Sequence, residues 1–144
     1  MQVRNSQFEK SLLNKIARVA NRLEQEVEQE LKVSFALTFS QFRVLNGLFA
    51  LGEVSQRELA TALGVTPAVV TRQAEVLGSR GLVTGRSNPR SKRENLLALT
   101  KKGEQAVADA GKMIVERQKQ LFESMDLQTE TALERALDNL IKTL

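Results

Sequence analysis

The chain has 144 residues, a formal net charge of +4, a 42% hydrophobic fraction and a 4% aromatic fraction, with no Cys, His, Trp or Tyr. Without Cys or His it has no disulfide, thiol sensor, haem ligation, imidazole metal site or Ser–His or Cys–His nucleophile, and so few aromatics argue against stacking on single-stranded bases. No apolar run approaches the roughly 18 residues of a membrane span, and Met1–Asn5 lacks the apolar stretch of a signal peptide, so a cytoplasmic protein with no membrane partner is expected.

The first element, from about Ser6 to Lys32, places Phe8, Leu12, Ile16, Val19, Leu23, Val27 and Leu31 at steps of three or four, the period of a helix with one apolar stripe. Glu24, Glu26, Glu28 and Glu30 fall mostly off that stripe and read as a solvated face. A helix of this length exceeds what a small lobe can cover, so its stripe needs the C-terminal helices or a second subunit. Residues 33–37 read as a connector.

Thr38-Phe39-Ser40-Gln41 has the form of a capping box, and Phe42, Leu45, Leu48 and Phe49 carry a helix to about Leu51, which Gly52 ends. Ser55-Gln56-Arg57-Glu58 is a second capping box, opening a short helix with Leu59, Ala60 and Leu63 on one side. Gly64 supplies a tight turn. Thr66-Pro67 then starts another helix, Thr as N-cap and Pro at the first helical position, where its missing N–H costs nothing. Two short helices around such a turn are a helix-turn-helix, whose second helix enters the DNA major groove.

That second helix runs to about Arg80, with Gly81 where a left-handed residue is expected. Leu82–Thr84 and Asn95–Leu99 read as two strands around the polar loop 85–93, a β-hairpin or wing. Thr100 is expected to cap the next helix, with Ala106, Ala110, Met113 or Ile114, and Leu121 as its apolar positions. Asp126 is expected to cap the last, striped by Leu133, Leu137, Leu140 and Leu144. The fold class is therefore mainly α with a small β-wing: a winged helix-turn-helix lobe over residues 38–100, with helical dimerisation regions at 1–37 and 101–144.

Charge concentrates on this lobe. From Arg72 to Lys102 stand eight cations against Glu75 and Glu94, so the segment carries +6 and the remainder of the chain −2. Such a basic segment is an electrostatic footprint for a phosphate backbone. With Val70, Ala74 and Leu77 turned inward, Ala68, Arg72, Glu75 and Ser79 face out, with Thr71 on the flank.

Arg72 can bridge O6 and N7 of guanine; its alternatives are a phosphate contact or a pair with Glu75. Thr71 can donate to phosphate or bond a preceding carbonyl. Thr66 and Pro67 can meet phosphate or a thymine methyl at the helix N-terminus, and Glu75 can accept from cytosine N4. On the wing Arg86, Arg90, Lys92 and Arg93 are DNA-binding candidates, Arg90 at the tip being placed to enter a minor groove. No carboxylate cluster or phosphate-binding glycine loop suggests catalysis, a metal or a cofactor.

Leu63-Gly64-Val65-Thr66-Pro67, Val70-Thr71-Arg72, Leu77, Gly81-Leu82-Val83, Asn88-Pro89, Arg93 and Leu99-Thr100-Lys101-Lys102-Gly103, in this spacing, resemble the MarR family of bacterial transcriptional regulators. The resemblance spans the chain by architecture and is sharpest from Phe39 to Gly103. It implies a homodimer with interdigitated terminal helices, and winged lobes reading a near-palindromic operator on double-stranded DNA. It also implies a small-molecule effector seated between the dimer helices and the lobe, although no motif carries pocket residues across. One departure is plain: where the family wing carries Asp-x-Arg, this chain has Ser91-Lys92-Arg93. The ion pair that braces the wing is thus absent or replaced, and a more mobile wing is expected. The resemblance implies a repressor; the competing expectation is an architectural or counter-silencing winged-helix protein with little sequence preference.

Overall fold

Every helix-start signal in the central region is satisfied. In the computed structural model, which describes residues 7–144 apart from the side chain of Lys92, Thr38 and Gln41 exchange capping-box bonds of 3.1 and 3.0 Å at the head of α2 (Phe39–Leu51). Ser55 and Glu58 do the same, at 3.2 and 2.9 Å, for α3 (Gln56–Leu63). Thr66 caps α4 (Pro67–Ser79). Each box satisfies two backbone donors that a helix start leaves without partners.

The helix ends are equally well marked. Gly64 and Gly81 both adopt left-handed conformations, with φ of 65° and 71°. Behind each, the same pair of bonds closes the helix: Val65 N–H to Ala60 C=O and Gly64 N–H to Thr61 C=O after α3, Leu82 N–H to Leu77 C=O and Gly81 N–H to Gly78 C=O after α4. This is the glycine-closed C-terminus that reverses a chain without steric penalty.

Upstream, α1 covers Leu12–Phe35. It starts later than the periodicity predicts because Ser11 caps it, its hydroxyl accepting from Asn14 N–H at 3.1 Å. Phe8 therefore lies ahead of the helix, and Ser6 falls outside the described residues. The helix also takes in the first part of the expected connector. It stops only at Ala36, the one described non-glycine residue with positive φ, after which Leu37 folds back into the core at 1% exposure.

The wing is built from β2 (Val83–Asn88) and β3 (Ser91–Leu99), longer than the sequence suggests, so the expected loop shrinks to a turn at the tip. A third strand, β1 (Val54–Ser55), has no counterpart in the sequence reading. It pairs with β3, giving an antiparallel sheet in the order β1-β3-β2. Leu45, Leu48, Leu59, Val70 and Leu77, all at 2% exposure or below, are the centre of the core. Val83 and Leu97 from the wing are also buried.

Helix α5 (Lys101–Phe122) begins against this lobe. Thr100 Oγ1 donates to Gly81 C=O at 2.6 Å and accepts from Gly103 N–H at 3.1 Å. Gly103 approaches so closely that any Cβ would overlap the Leu82 carbonyl oxygen.

The chain divides into two compact units, one ending at Ala110 and the other spanning Gly111–Leu144. The second contains the rest of α5 and α6 (Leu127–Thr143), which Asp126 caps as expected. None of the residues of α6 is buried. Among the described residues no helix is long and apolar enough to cross a membrane.

Candidate nucleic-acid interface

The sides of α4 divide as its sequence predicts. Val70 and Leu77 are wholly buried and Ala74 nearly so, while Ala68, Arg72, Glu75 and Ser79 are exposed. Thr66 and Pro67 are exposed at the N-terminus of the same helix, where backbone N–H groups are turned outward. Among the described residues no ion pair joins Arg72 to Glu75, so the guanidinium is free to reach outward.

Of the two roles open to Thr71, the structure displays the local one: its hydroxyl lies 3.0 Å from Pro67 C=O and 2.9 Å from Gln56 Oε1. It thereby ties the two helices of the helix-turn-helix to each other.

The wing presents its cations in different states. Arg90 is exposed in the turn, where Asn88 Oδ1 accepts from Arg90 N–H at 3.0 Å and shapes the tip. Arg93 is exposed just beyond, in a stretch where the ladder shifts register between Ser87 and Asn88. The side chain of Lys92 lies outside the described residues.

Arg86 forks onto Glu53, Nε to Oε2 at 2.9 Å and Nη2 to Oε1 at 2.5 Å. The Arg86 hydrogen bonds hold the Glu53 carboxyl below the ordinary glutamate range. Glu58 is also held low, by the Ser55 backbone N–H and then its hydroxyl. Glu53, Arg57, Glu58, Arg86, Arg90 and Glu94 line a cleft of about 770 Å³ between the start of α3 and the wing tip, so its charge is mixed rather than uniformly basic.

Two cations of the basic segment are engaged by backbone carbonyls instead. Arg80 caps the C-terminus of α1, donating to Ala36 C=O at 2.6 Å and Phe35 C=O at 2.9 Å. Lys102 Nζ donates to Arg80 C=O at 3.0 Å. Counting charge along the sequence therefore overstates the free positive surface. It also misses Glu53, whose partner is 33 residues away and leaves no local pattern. Among the described residues no group of three or more His, Cys, Asp or Glu could hold a metal ion.

The described arrangement is thus an exposed helix face, rich in small residues around one unpaired arginine, beside a basic hairpin on the same compact unit. Its likenesses point the same way. The MarR family profile matches residues 37–94, the helix-turn-helix and most of the wing. YdgJ of Bacillus subtilis, an uncharacterized HTH-type transcriptional regulator, is 31% identical over 98 residues, which take in 68% of this chain and 57% of that relative's length.

Among solved structures, the transcriptional repressor CouR bound to a 23-mer DNA duplex superposes with a TM-score of 0.85 at 26% identity, over 98% of this chain and 99% of the other. PcaV, a transcriptional regulator from Streptomyces coelicolor in complex with its natural ligand, superposes with a TM-score of 0.74 at 22% identity, over 92% and 95%. Family profile, relative and fold agree on the region that carries the α4 face and the wing, and residues 37–94 belong to the MarR family.

Proposed function

We propose that this chain is a cytoplasmic, sequence-specific transcriptional regulator that binds double-stranded DNA as a homodimer and acts as a repressor. The observation that carries the reading is the outward face of α4: Arg72 stands unpaired among Ala68, Glu75 and Ser79, at the width a major groove admits. In this reading Arg72 reads a base edge, Thr66, Pro67, Ala68 and Thr71 meet the backbone or a thymine methyl, and Glu75 faces a cytosine. Arg90, Lys92 and Arg93 follow the adjacent minor groove, with Arg86 at their base. Residues 38–100 form the DNA-binding lobe, and the helices at 1–37 and 101–144 form the dimer. The exposed apolar residues Leu12, Ile16 and Val19 on α1, and Leu133, Leu137 and Leu140 on α6, support that dimer, since such stripes are buried somewhere in a stable protein. A small-molecule effector that weakens DNA binding is part of the same reading, by likeness to ligand-bound PcaV.

The test is fluorescence anisotropy on the DNA upstream of the protein's own gene, against a scrambled duplex of equal length, near 150 mM salt. A preference of roughly 10³ or more is expected. Arg72→Ala should cost about 1–3 kcal/mol and relax specificity at one base pair of each half-site. A wild-type ratio near one over the whole genome's sites, with Arg72→Ala changing only the salt-dependent affinity, would favour architectural binding instead.

A further inference from the structure

The Glu53–Arg86 pair is placed where the wing joins the helix-turn-helix, and nothing in the proposed recognition of DNA uses Glu53. Its position is set by local backbone chemistry. Helix α2 ends at Gly52, whose φ of 76° and ψ of −151° turn the chain sharply. Glu53 follows, then β1, and Ser55 of β1 is itself the N-cap of α3. Glu53 is therefore fixed two residues from the start of the helix-turn-helix.

Arg86 belongs to the opposite edge of the sheet. It pairs with Leu96, and Leu96 pairs with Ser55, so the three form one row across β2, β3 and β1. Glu53 stands just ahead of β1, two residues before Ser55 of that row. The arginine thus reaches across the central strand to the far edge and forks onto the carboxylate with two hydrogen bonds. Its grip falls one residue before Ser87, after which the ladder shifts register and the strands carry only the tip with Arg90 and Arg93.

Both side chains are substantially exposed, at 54% for Arg86 and 39% for Glu53, and an exposed pair adds little to global stability. Its effect is instead on local geometry. A bidentate fork constrains direction as well as distance. The wing also has a serine at position 91, so no carboxylate there can brace Arg93.

We propose that Glu53 is a positioning residue, which grips Arg86 to fix the wing against the helix-turn-helix and so aims the wing-tip arginines at DNA. The inference rests on the DNA-binding reading above. It assigns the bracing of this wing to a residue outside the wing, on the segment between α2 and α3.

The experiment compares wild type, E53Q, R86Q and the double variant on the preferred duplex, flanked by either an A-tract or a G·C-rich segment. Backbone hydrogen exchange of the free proteins is followed in parallel. E53Q should bind about two- to fivefold more weakly, lose part of its preference for the narrow-groove A-tract flank, and lose exchange protection at residues 86–95, with an unchanged unfolding midpoint. In the R86Q background, E53Q should change nothing further.

Equal or tighter binding by E53Q, with a salt dependence steeper by about one phosphate contact, would overturn the proposal and make Glu53 a mere competitor for Arg86. An equal loss in the R86Q background would also overturn it, since Glu53 would then not act through Arg86. A wild type with no affinity for any duplex would instead remove the DNA-binding reading itself, and the positioning role with it.

Discussion

The winged lobe and the last helix solve the burial problem in opposite ways. In the lobe, short helices with capped starts and glycine-closed ends bring Leu45, Leu59, Val70 and Leu77 to 2% exposure or less. Helix α6 is as regular and as well capped, yet buries none of its residues and leaves Ile141 72% exposed. Both sequences are amphipathic, so helical periodicity does not distinguish them. The difference is one of partners: the lobe holds its own, while α6 presents an apolar stripe that gains stability only from a surface it is pressed against. A lobe that is internally complete, beside a helix that is not, is the division that the proposed dimeric regulator would need.

The contrast is broken most forcefully from within the lobe. Leu77→Ala empties the inner side of α4 beneath the proposed reading face and should cost about 2–5 kcal/mol. Urea denaturation should show the loss at every protein concentration, because the cavity belongs to one chain. A loss that vanished on raising the concentration would mean that the lobe is not self-sufficient.

Next in size is Gly103→Ala. In most helix interiors this change is favourable, because alanine has the better helix propensity. Here the added methyl meets the carbonyl oxygen of Leu82, a backbone atom at the junction that Thr100 pins through Gly81. Neither side can yield by a rotamer change, so a destabilisation of about 1–3 kcal/mol is expected. A thermal midpoint equal to or above wild type would show that the first turn of α5 is free to shift.

Leu137→Asp probes the other side of the contrast. At 40% exposure in the single chain, this leucine is only partly covered, and it lies outside the lobe's core. In the proposed dimer it is covered, and a carboxylate in its place would be buried without a partner. Sedimentation should show self-association weakened by at least about tenfold, as for a central interface residue, with the lobe's own unfolding unchanged. An undisturbed dimer would place the contact on a different stripe.

These outcomes mirror what was readable in the sequence. Capping boxes at Thr38 and Ser55, the Thr66-Pro67 helix start, and the glycine closures at Gly64 and Gly81 were all legible, because each is settled within about five neighbouring residues. The division of α4 into Val70, Ala74 and Leu77 against Arg72 and Glu75 follows from the same local geometry. What escaped is long-range. Strand β1 has two residues, too few for any periodicity, and exists because β3 accepts it from more than forty positions away. Arg80 looked like part of a DNA footprint until the fold brought the end of α1, 44 residues upstream, under its guanidinium. Even the wing's length depended on a cross-strand register that its polar sequence hides.

The smallest expected effect concerns acid, and it separates the two regions by their caps. Asp126 accepts from the Thr129 hydroxyl at 2.7 Å and from its backbone N–H at 2.9 Å, and these bonds hold its carboxyl below the ordinary aspartate range, the hydroxyl contributing most. Because the folded form is the stronger acid, the cap's contribution is complete above the unfolded value, near 3.9 for aspartate, and is lost as pH falls through the lower folded value. Glu58 behaves in the same sense at the head of α3, but its helix is also anchored by Leu59, which is wholly buried. No buried residue of α6 backs up Asp126. On acidification the start of α6 should therefore fray while α3 stays closed, read as loss of exchange protection in the first turn of α6 with protection kept along α3. The Thr129 amide signal should titrate with a midpoint below the ordinary aspartate value, and Asp126→Asn, which caps without titrating, should abolish that response. Simultaneous loss of both helix starts would mean that the core beneath α3 gives no more support than the open face of α6.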